Sequence, residues 1–201
     1  MSGTTMNQRS QWFESGVNEG DLNEIGISDS PLDHSRYTLR DGRQVVIRPV
    51  QASDVDLERE LIEGLSADSS RMRFLGGIGQ VSKQLMRILT DNDPQHEAYI
   101  ALYKDEAGNQ HAVGVANFAC DPDGRACECA VVVADDWQNA GLGKYLLQEL
   151  VDAAKVDGLE EIYSIESAGN NAIDHVAREL GFACKSDPRD YTMVRYSLHL
   201  Q

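Results

Sequence analysis

Two adjoining stretches of this 201-residue chain carry residue types whose spacing suits chemistry. The first reads Ala126-Cys127-Glu128-Cys129-Ala130-Val131-Val132-Val133-Ala134, an apolar run interrupted by one acid, Glu128. A carboxylate in apolar surroundings is costly unless it is paired or neutral, and burial raises its pKa. Glu128 is therefore the candidate general base, suited to taking a proton from a group such as an amine. The bland alternative is that it closes a strand end or pairs with Arg125 or Arg73. The second stretch follows at once: Asp135-Asp136-Trp137-Gln138-Asn139-Ala140-Gly141-Leu142-Gly143-Lys144. Gly141 and Gly143 let the backbone approach a ligand and aim successive N–H groups at it. The helix expected to start there adds unpaired N–H groups and the positive end of its dipole. Together they predict an anion site suited to a pyrophosphate. A plain strand-to-helix turn would carry the same glycines. Two other phosphate loops are excluded, because Gly143-Lys144-Tyr145 lacks the Ser or Thr of a Walker loop and position 146 is Leu where a dinucleotide fingerprint needs Gly.

The elements that must position these residues are legible from periodicity. A strand is expected over 44–50, stopped near Pro49. A helix capped by Ser53 follows through 65, with Leu57, Leu61 and Leu65 on one face. A helical turn over 69–74, a break at Gly76-Gly77 and a helix over 82–90, with Leu85 and Ile88 inward, come next. Strands over 98–103, 112–119 and 126–134 form a meander, joined through Glu106-Ala107-Gly108-Asn109 and Asp121-Pro122-Asp123-Gly124. Leu142, Leu146, Leu150 and Ala154 then recur every four residues, predicting an amphipathic helix that ends at Gly158. A strand over 162–167, a helix over 172–180 stopped by Gly181 and a strand over 191–200 complete the domain. Mixed helices and strands around a meander predict an α/β or α+β sheet with helices on both faces. Residues 1–36, polar and acidic without a period, read as a mostly disordered tail, leaving 37–201 as the domain.

A formal charge of -15 disfavours nucleic acid as the main ligand and suits a cationic one, though it also serves plain solubility. The expected partners include neither nucleic acid nor membrane, and the absence of a secretory pattern points to a cytoplasmic setting. Cys120, Cys127, Cys129 and Cys184 are too few and scattered for a disulfide framework, and the five histidines form no ligand pairs with them. No metal is expected; the thiols read as buried and reduced, with Cys129 and Cys184 unsuited to nucleophilic roles.

The order Gln138-x-x-Gly141-x-Gly143 between strand and helix resembles the acetyl-CoA loop of the GNAT superfamily of N-acetyltransferases. Asn170, followed by the helix that ends Leu180-Gly181-Phe182, resembles the same family's later motif. Leu39-Arg40-Asp41-Gly42, Ile47-Arg48-Pro49, Leu65-Ser66 and Arg73-Phe74 resemble the catalytic domain of Pat-type protein lysine acetyltransferases. The resemblance implies a mixed, mostly antiparallel central sheet splayed between strands 4 and 5, the runs over 126–134 and 162–167. It implies acetyl-CoA as co-substrate, met by Val131, Val132 and Val133, by Gln138, Asn139, Ala140, Gly141, Leu142, Gly143 and Lys144, and by Asn170 near the pantetheine arm. Glu128 falls where Pat-like enzymes carry their base. The Tyr that many GNAT enzymes use on the leaving thiolate is replaced by Ala177, so no general acid is assigned.

These readings predict transfer of an acetyl group to a primary amine by direct attack, with a protein lysine favoured as acceptor. A small-molecule amine (polyamine, aminoglycoside or amino acid) and a non-catalytic acetyl-CoA sensor are the alternatives. A homodimer through strand or helix edges is compatible with the sequence.

Overall fold

The computed structural model describes residues 34–74 and 96–200. One eight-stranded sheet is built from β1 (Ser35–Thr38), β2 (Gln44–Pro49), β3 (His96–Lys104), β4 (Gln110–Cys120), β5 (Ala126–Val133), β6 (Glu161–Ser167), β7 (Ala183–Ser186) and β8 (Met193–His199). The helices among the described residues are α1 (Val55–Glu63), α2 (Ala67–Phe74), α3 (Leu142–Val156) and α4 (Asn171–Glu179). Spatial order is β1-β2-β3-β4-β5-β6-β8-β7, antiparallel at every pairing except β5 with β6. The expected helix over 82–90, the break at Gly76-Gly77 and nearly all of the expected tail lie outside the described residues.

The mixed, mostly antiparallel sheet is as expected, and so is its splay. β5 and β6 pair only from Ala126↔Glu161 to Glu128↔Tyr163 and then part. In the full count the gap falls between β5 and β6, because β1 adds a strand. β1 and β7, four residues each, were missed. Strands so short carry too little alternation to stand out, and both exist through a neighbouring ladder. Tyr37 also fastens β1 to α3, stacking on Tyr145 at 4.1 Å and donating to Glu149 at 2.7 Å.

The two sheet faces bury separate cores. On one, Leu142, Leu146, Leu150 and Ala154 of α3 meet Val113, Ala116, Phe118, Cys127 and Cys129. On the other, Leu61, with Leu57 and Leu65 partly buried beside it, meets Ile100, Leu102, Val115 and Val132. Each buried Leu contributes about 1.5–3 kcal/mol relative to exposure. The register shift where Ala101 faces Gly114 and Leu102 faces Ala112 leaves Val113 as the extra residue of a bulge. A Cβ on Gly114 would stand 2.8 Å from Leu146 Cδ1, so only glycine lets α3 lie this close to β4.

One cap differs from expectation. Ser53 sits exposed inside a 3-10 turn, Ala52–Asp54, and α1 begins after Asp54. Asp54 takes the N–H of Gln51 at 2.8 Å and a bidentate bond from Arg48 at 2.6 and 2.8 Å, welding the end of β2 to the start of α1. A half-buried Arg reaching from the preceding strand favoured the carboxylate over the hydroxyl.

Candidate functional site

The chemistry-bearing residues occupy β5 and the loop that leaves it. Strand alternation turns Cys127 and Cys129 into the α3-side core and Glu128 to the opposite face. Glu128 is exposed, so the burial expected to tune it is absent. The apolar run misled because only one face of this part of β5 is covered. Its carboxylate has no hydrogen bond or ion pair among the described residues. Arg125, a candidate partner, instead grips Glu160 through two bonds. Arg73 carries no described side chain.

Beside Glu128, in register on β6, stands Tyr163, whose O–H donates to Asp121 at 2.8 Å. Burial first, then that bond and its charge, push the Tyr163 phenol up to about 12, and Glu128 adds to the effect. The guanidinium of Arg195 lies 3.5 Å over the Tyr163 ring and donates to Glu161 at 3.1 Å. Glu128 thus stands at the edge of a polar shelf that is open to solvent.

Past Glu128, the flank of β5 that faces β6 has no strand partner. Ala134 donates its N–H to Val113 on β4, and successive backbone groups alternate sides. Val132 N–H therefore points into the β4 ladder, whereas Val131 and Val133 point their N–H groups into the splay. Of the three valines expected to meet a ligand through the backbone, two have that orientation. The gap between β5 and β6 closes on a void of about 10 Å³, room for one water-sized group, lined by Cys129, Val131, Ser164, Ala177 and Tyr196 among others.

After β5 a 3-10 turn, Asp135–Trp137, swings the chain into the loop. Tyr103 packs on Trp137 at 4.8 Å and Arg43 lies 3.8 Å over its ring. Asn139 and Gly141 both adopt left-handed backbone, with φ of 60° and 96°, the second at the cap of α3. Ala140 is buried and its carbonyl accepts from Arg40 N–H at 3.0 Å, while the Arg40 side chain lies beside Gly141. Leu142 is wholly in the core, so it offers only its backbone. The N–H groups of Gly141, Leu142 and Gly143 have no acceptor among the described residues. Gly143 is helical, and a Cβ there would meet nothing nearer than Val133 Cγ2 at 3.8 Å. The protein itself does not require glycine at 143, so the open space above it fits a bound group that comes close to the backbone.

Some expected ligand residues have other employment. Gln138 donates its amide to Val133 O at 3.2 Å and to Ser69 Oγ at 3.0 Å, and its N–H to Asp135 O at 3.3 Å. Lys144 pairs with Glu179 at 2.9 Å. Asn170 caps α4, accepting from Ile173 N–H at 3.5 Å, and donates to Glu166 at 3.0 Å. Burial pushes the Cys127 thiol up to about 12 and Cys129 higher still, which removes both as nucleophiles. Sequence reasoning named Arg40 only within the Pat-like run and gave it no place beside the loop, and it missed Tyr196 and Ser164 at the void. No local spacing could have found them, because each arrives from a distant strand or turn. A larger hollow of about 400 Å³ lies near the β1 edge, lined by Arg36, Val46, Leu102 and Lys104 among others, and includes none of the predicted residues.

Among the described residues no group of three or more His, Cys, Asp or Glu is placed to hold a metal ion, and no helix is long and apolar enough to cross a membrane.

Comparison with known proteins bears on this geometry. A family model described as "Acetyltransferase (GNAT) family" matches residues 68–182. The chain is 39% identical over 169 residues to acetyltransferase PA5475 of Pseudomonas aeruginosa, covering 84% of this chain and 90% of that protein. Its fold is similar to the GNAT domain of PAT from S. lividans, with a TM-score of 0.73 at 20% identity, covering 83% of this chain and 97% of that one. It is also similar to RimL, a ribosomal L7/L12 α-N-protein acetyltransferase solved with coenzyme A, with a TM-score of 0.60 at 18% identity over 78% of this chain and 94% of that one.

Proposed function

The chain belongs to the GNAT acetyltransferase family, and on that footing we propose that it transfers the acetyl group of acetyl-CoA to the side-chain amine of a protein lysine, with Glu128 as base. The observation that carries this reading is the continuity of one strand. β5 presents Glu128 on an open face, the N–H groups of Val131 and Val133 at the splay, and the glycine loop at its end. Base and acyl-group donors are thereby held on one rigid strand, with the phosphate donors in the loop that leaves its end.

Acetyl-CoA supplies the acyl group as a thioester. Unpaired N–H groups at Gly141 to Gly143 suit its pyrophosphate, aided by the α3 dipole. Val131 or Val133 N–H can polarise the thioester carbonyl, as fixed donors aimed at developing negative charge. Glu128 takes a proton from the acceptor ammonium, directly or through one water. The neutral nitrogen forms its bond to the carbonyl carbon, the carbon–sulfur bond breaks, and the nitrogen's second proton passes through water to the departing thiolate, giving the amide and free coenzyme A thiol. No general acid is assigned, since Ala177 is buried and apolar.

A protein acceptor is favoured by the exposure of Glu128, which suits a lysine presented on a large surface. The Pat-like motifs Leu39-Arg40-Asp41-Gly42 and Ile47-Arg48-Pro49 also favour it, whereas the net charge of -15 suits any cationic acceptor, protein or small molecule. The test is incubation of the full chain with acetyl-labelled acetyl-CoA and an extract of its own host, followed by separation of macromolecules from small molecules. Label on lysines of one or a few proteins supports the reading. Label confined to the small-molecule pool replaces it with a metabolite acetyltransferase, and no transfer despite acetyl-CoA binding replaces it with a sensor.

A further inference from the structure

Asp135, the first residue of the 3-10 turn, makes three bonds to a segment 69 residues earlier in sequence or nearly so. Its carboxylate accepts from Ser66 N–H at 2.8 Å, Ser66 Oγ at 2.7 Å and Ser69 Oγ at 2.7 Å. Ser66 caps α2, taking Ser69 N–H on its own hydroxyl at 3.2 Å. Ser69 Oγ in turn accepts from Gln138, whose other amide bond goes to Val133 O. A continuous relay therefore runs from α2 through Asp135 and Gln138 to the last residue of β5. The Ser66 N–H first, then the Ser69 and Ser66 hydroxyls, hold the Asp135 carboxyl below the usual carboxylate range, so it is ionised and the relay is charge-assisted at neutral pH.

Asp135, Ser66 and Gln138 need no partner for burial's sake, because they are exposed, and Ser69 is only half-buried. Water would serve each of them as well. What the relay does is fix the course of the chain between β5 and Gly141, the span that decides where the free N–H groups of the loop point. α2 also packs against β5, the strand that carries Glu128.

We propose that Asp135, acting through Ser66 and Ser69, is a positioning residue that holds the loop in its acetyl-CoA-binding shape by tying it to α2. The proposal rests on the acetyl-CoA reading of the loop but not on Glu128 or the acceptor. Titration of the full chain with acetyl-CoA, with thermal midpoints alongside, tests it. Asp135→Ala and Ser69→Ala are each expected to weaken acetyl-CoA binding about tenfold, while kcat at saturating acetyl-CoA changes by less than about twofold. Ser69→Thr, which keeps the hydroxyl, is expected to bind as the parent does. Adding Ser69→Ala to Asp135→Ala should weaken binding no further. Lowered thermal midpoints with parental affinity would overturn the proposal, leaving a purely structural brace. Parental affinity in both alanine variants would overturn it while leaving the acetyl-CoA reading intact. A parent that does not bind acetyl-CoA at all would overturn both.

Discussion

Glu128 stands directly opposite Tyr163 in the last rung of the parallel ladder between β5 and β6, just before the two strands part. The base of the proposed reaction thus occupies the hinge of the splay. It is held there by a ladder bond pattern, while its carboxylate remains free of partners among the described residues.

If Glu128 takes the acceptor's proton, Glu128→Gln keeps the shape and removes the basicity. Turnover should fall by about 10²- to 10³-fold, within the range typical of general bases. Acetyl-CoA affinity should stay within about twofold of the parent, because the loop is untouched. Steady-state kinetics with a labelled donor would check this, and unchanged turnover would remove the base assignment.

Gly143 separates fold from ligand. Its helical backbone and open surroundings mean that Gly143→Ala should raise stability by about 0.5–1 kcal/mol, the usual helix gain over glycine. Gly143→Leu should fold as well but project into the space above the loop, weakening acetyl-CoA binding about tenfold or more. Equal affinity in the leucine variant would place the pyrophosphate elsewhere.

The Arg48–Asp54 pair is largely buried, at 11% and 4% side-chain exposure, and its removal should be felt in the fold. Asp54→Ala leaves the guanidinium without its partner and should cost about 3–5 kcal/mol in denaturant unfolding. The double change Arg48→Met with Asp54→Leu should cost less than the single one. A double variant as unstable as the sum of both singles would contradict this account.

Alkaline pH should reveal Tyr163. Its folded pKa of about 12 lies above the ordinary 10.0, first through burial and then through its bond to Asp121. A raised pKa contributes stability that is complete below pH 10 and lost as pH climbs from 10 towards 12. Tyr163→Phe has no proton to lose, so its unfolding free energy should decline less steeply over that window. Parallel slopes for parent and variant would mean that Tyr163 ionises alike in both states.

Local pattern accounts for much of what was anticipated. The four-residue repeat from Leu142 to Ala154 is a property of one helix and its one covered face, so it could be read directly. The strand–Gly141–Gly143–helix order was equally legible, because left-handed backbone and unpaired N–H groups follow from neighbours in the chain. Glu128 was identified correctly as the odd residue of its strand, but its surroundings were misjudged. An apolar run looks alike whether one face or both are covered.

By itself, then, the sequence determined the long strands and α3 among the described elements, the glycine loop and the family, since each is written within a few consecutive turns or strands. Only the tertiary structure decided which way Glu128 faces, which of Val131, Val132 and Val133 turn their N–H groups into the splay, and that Asp135 holds Ser66 and Ser69. Those facts depend on ladder register and on contacts between residues dozens of positions apart, where chain entropy erases any local signal and packing alone selects the partner.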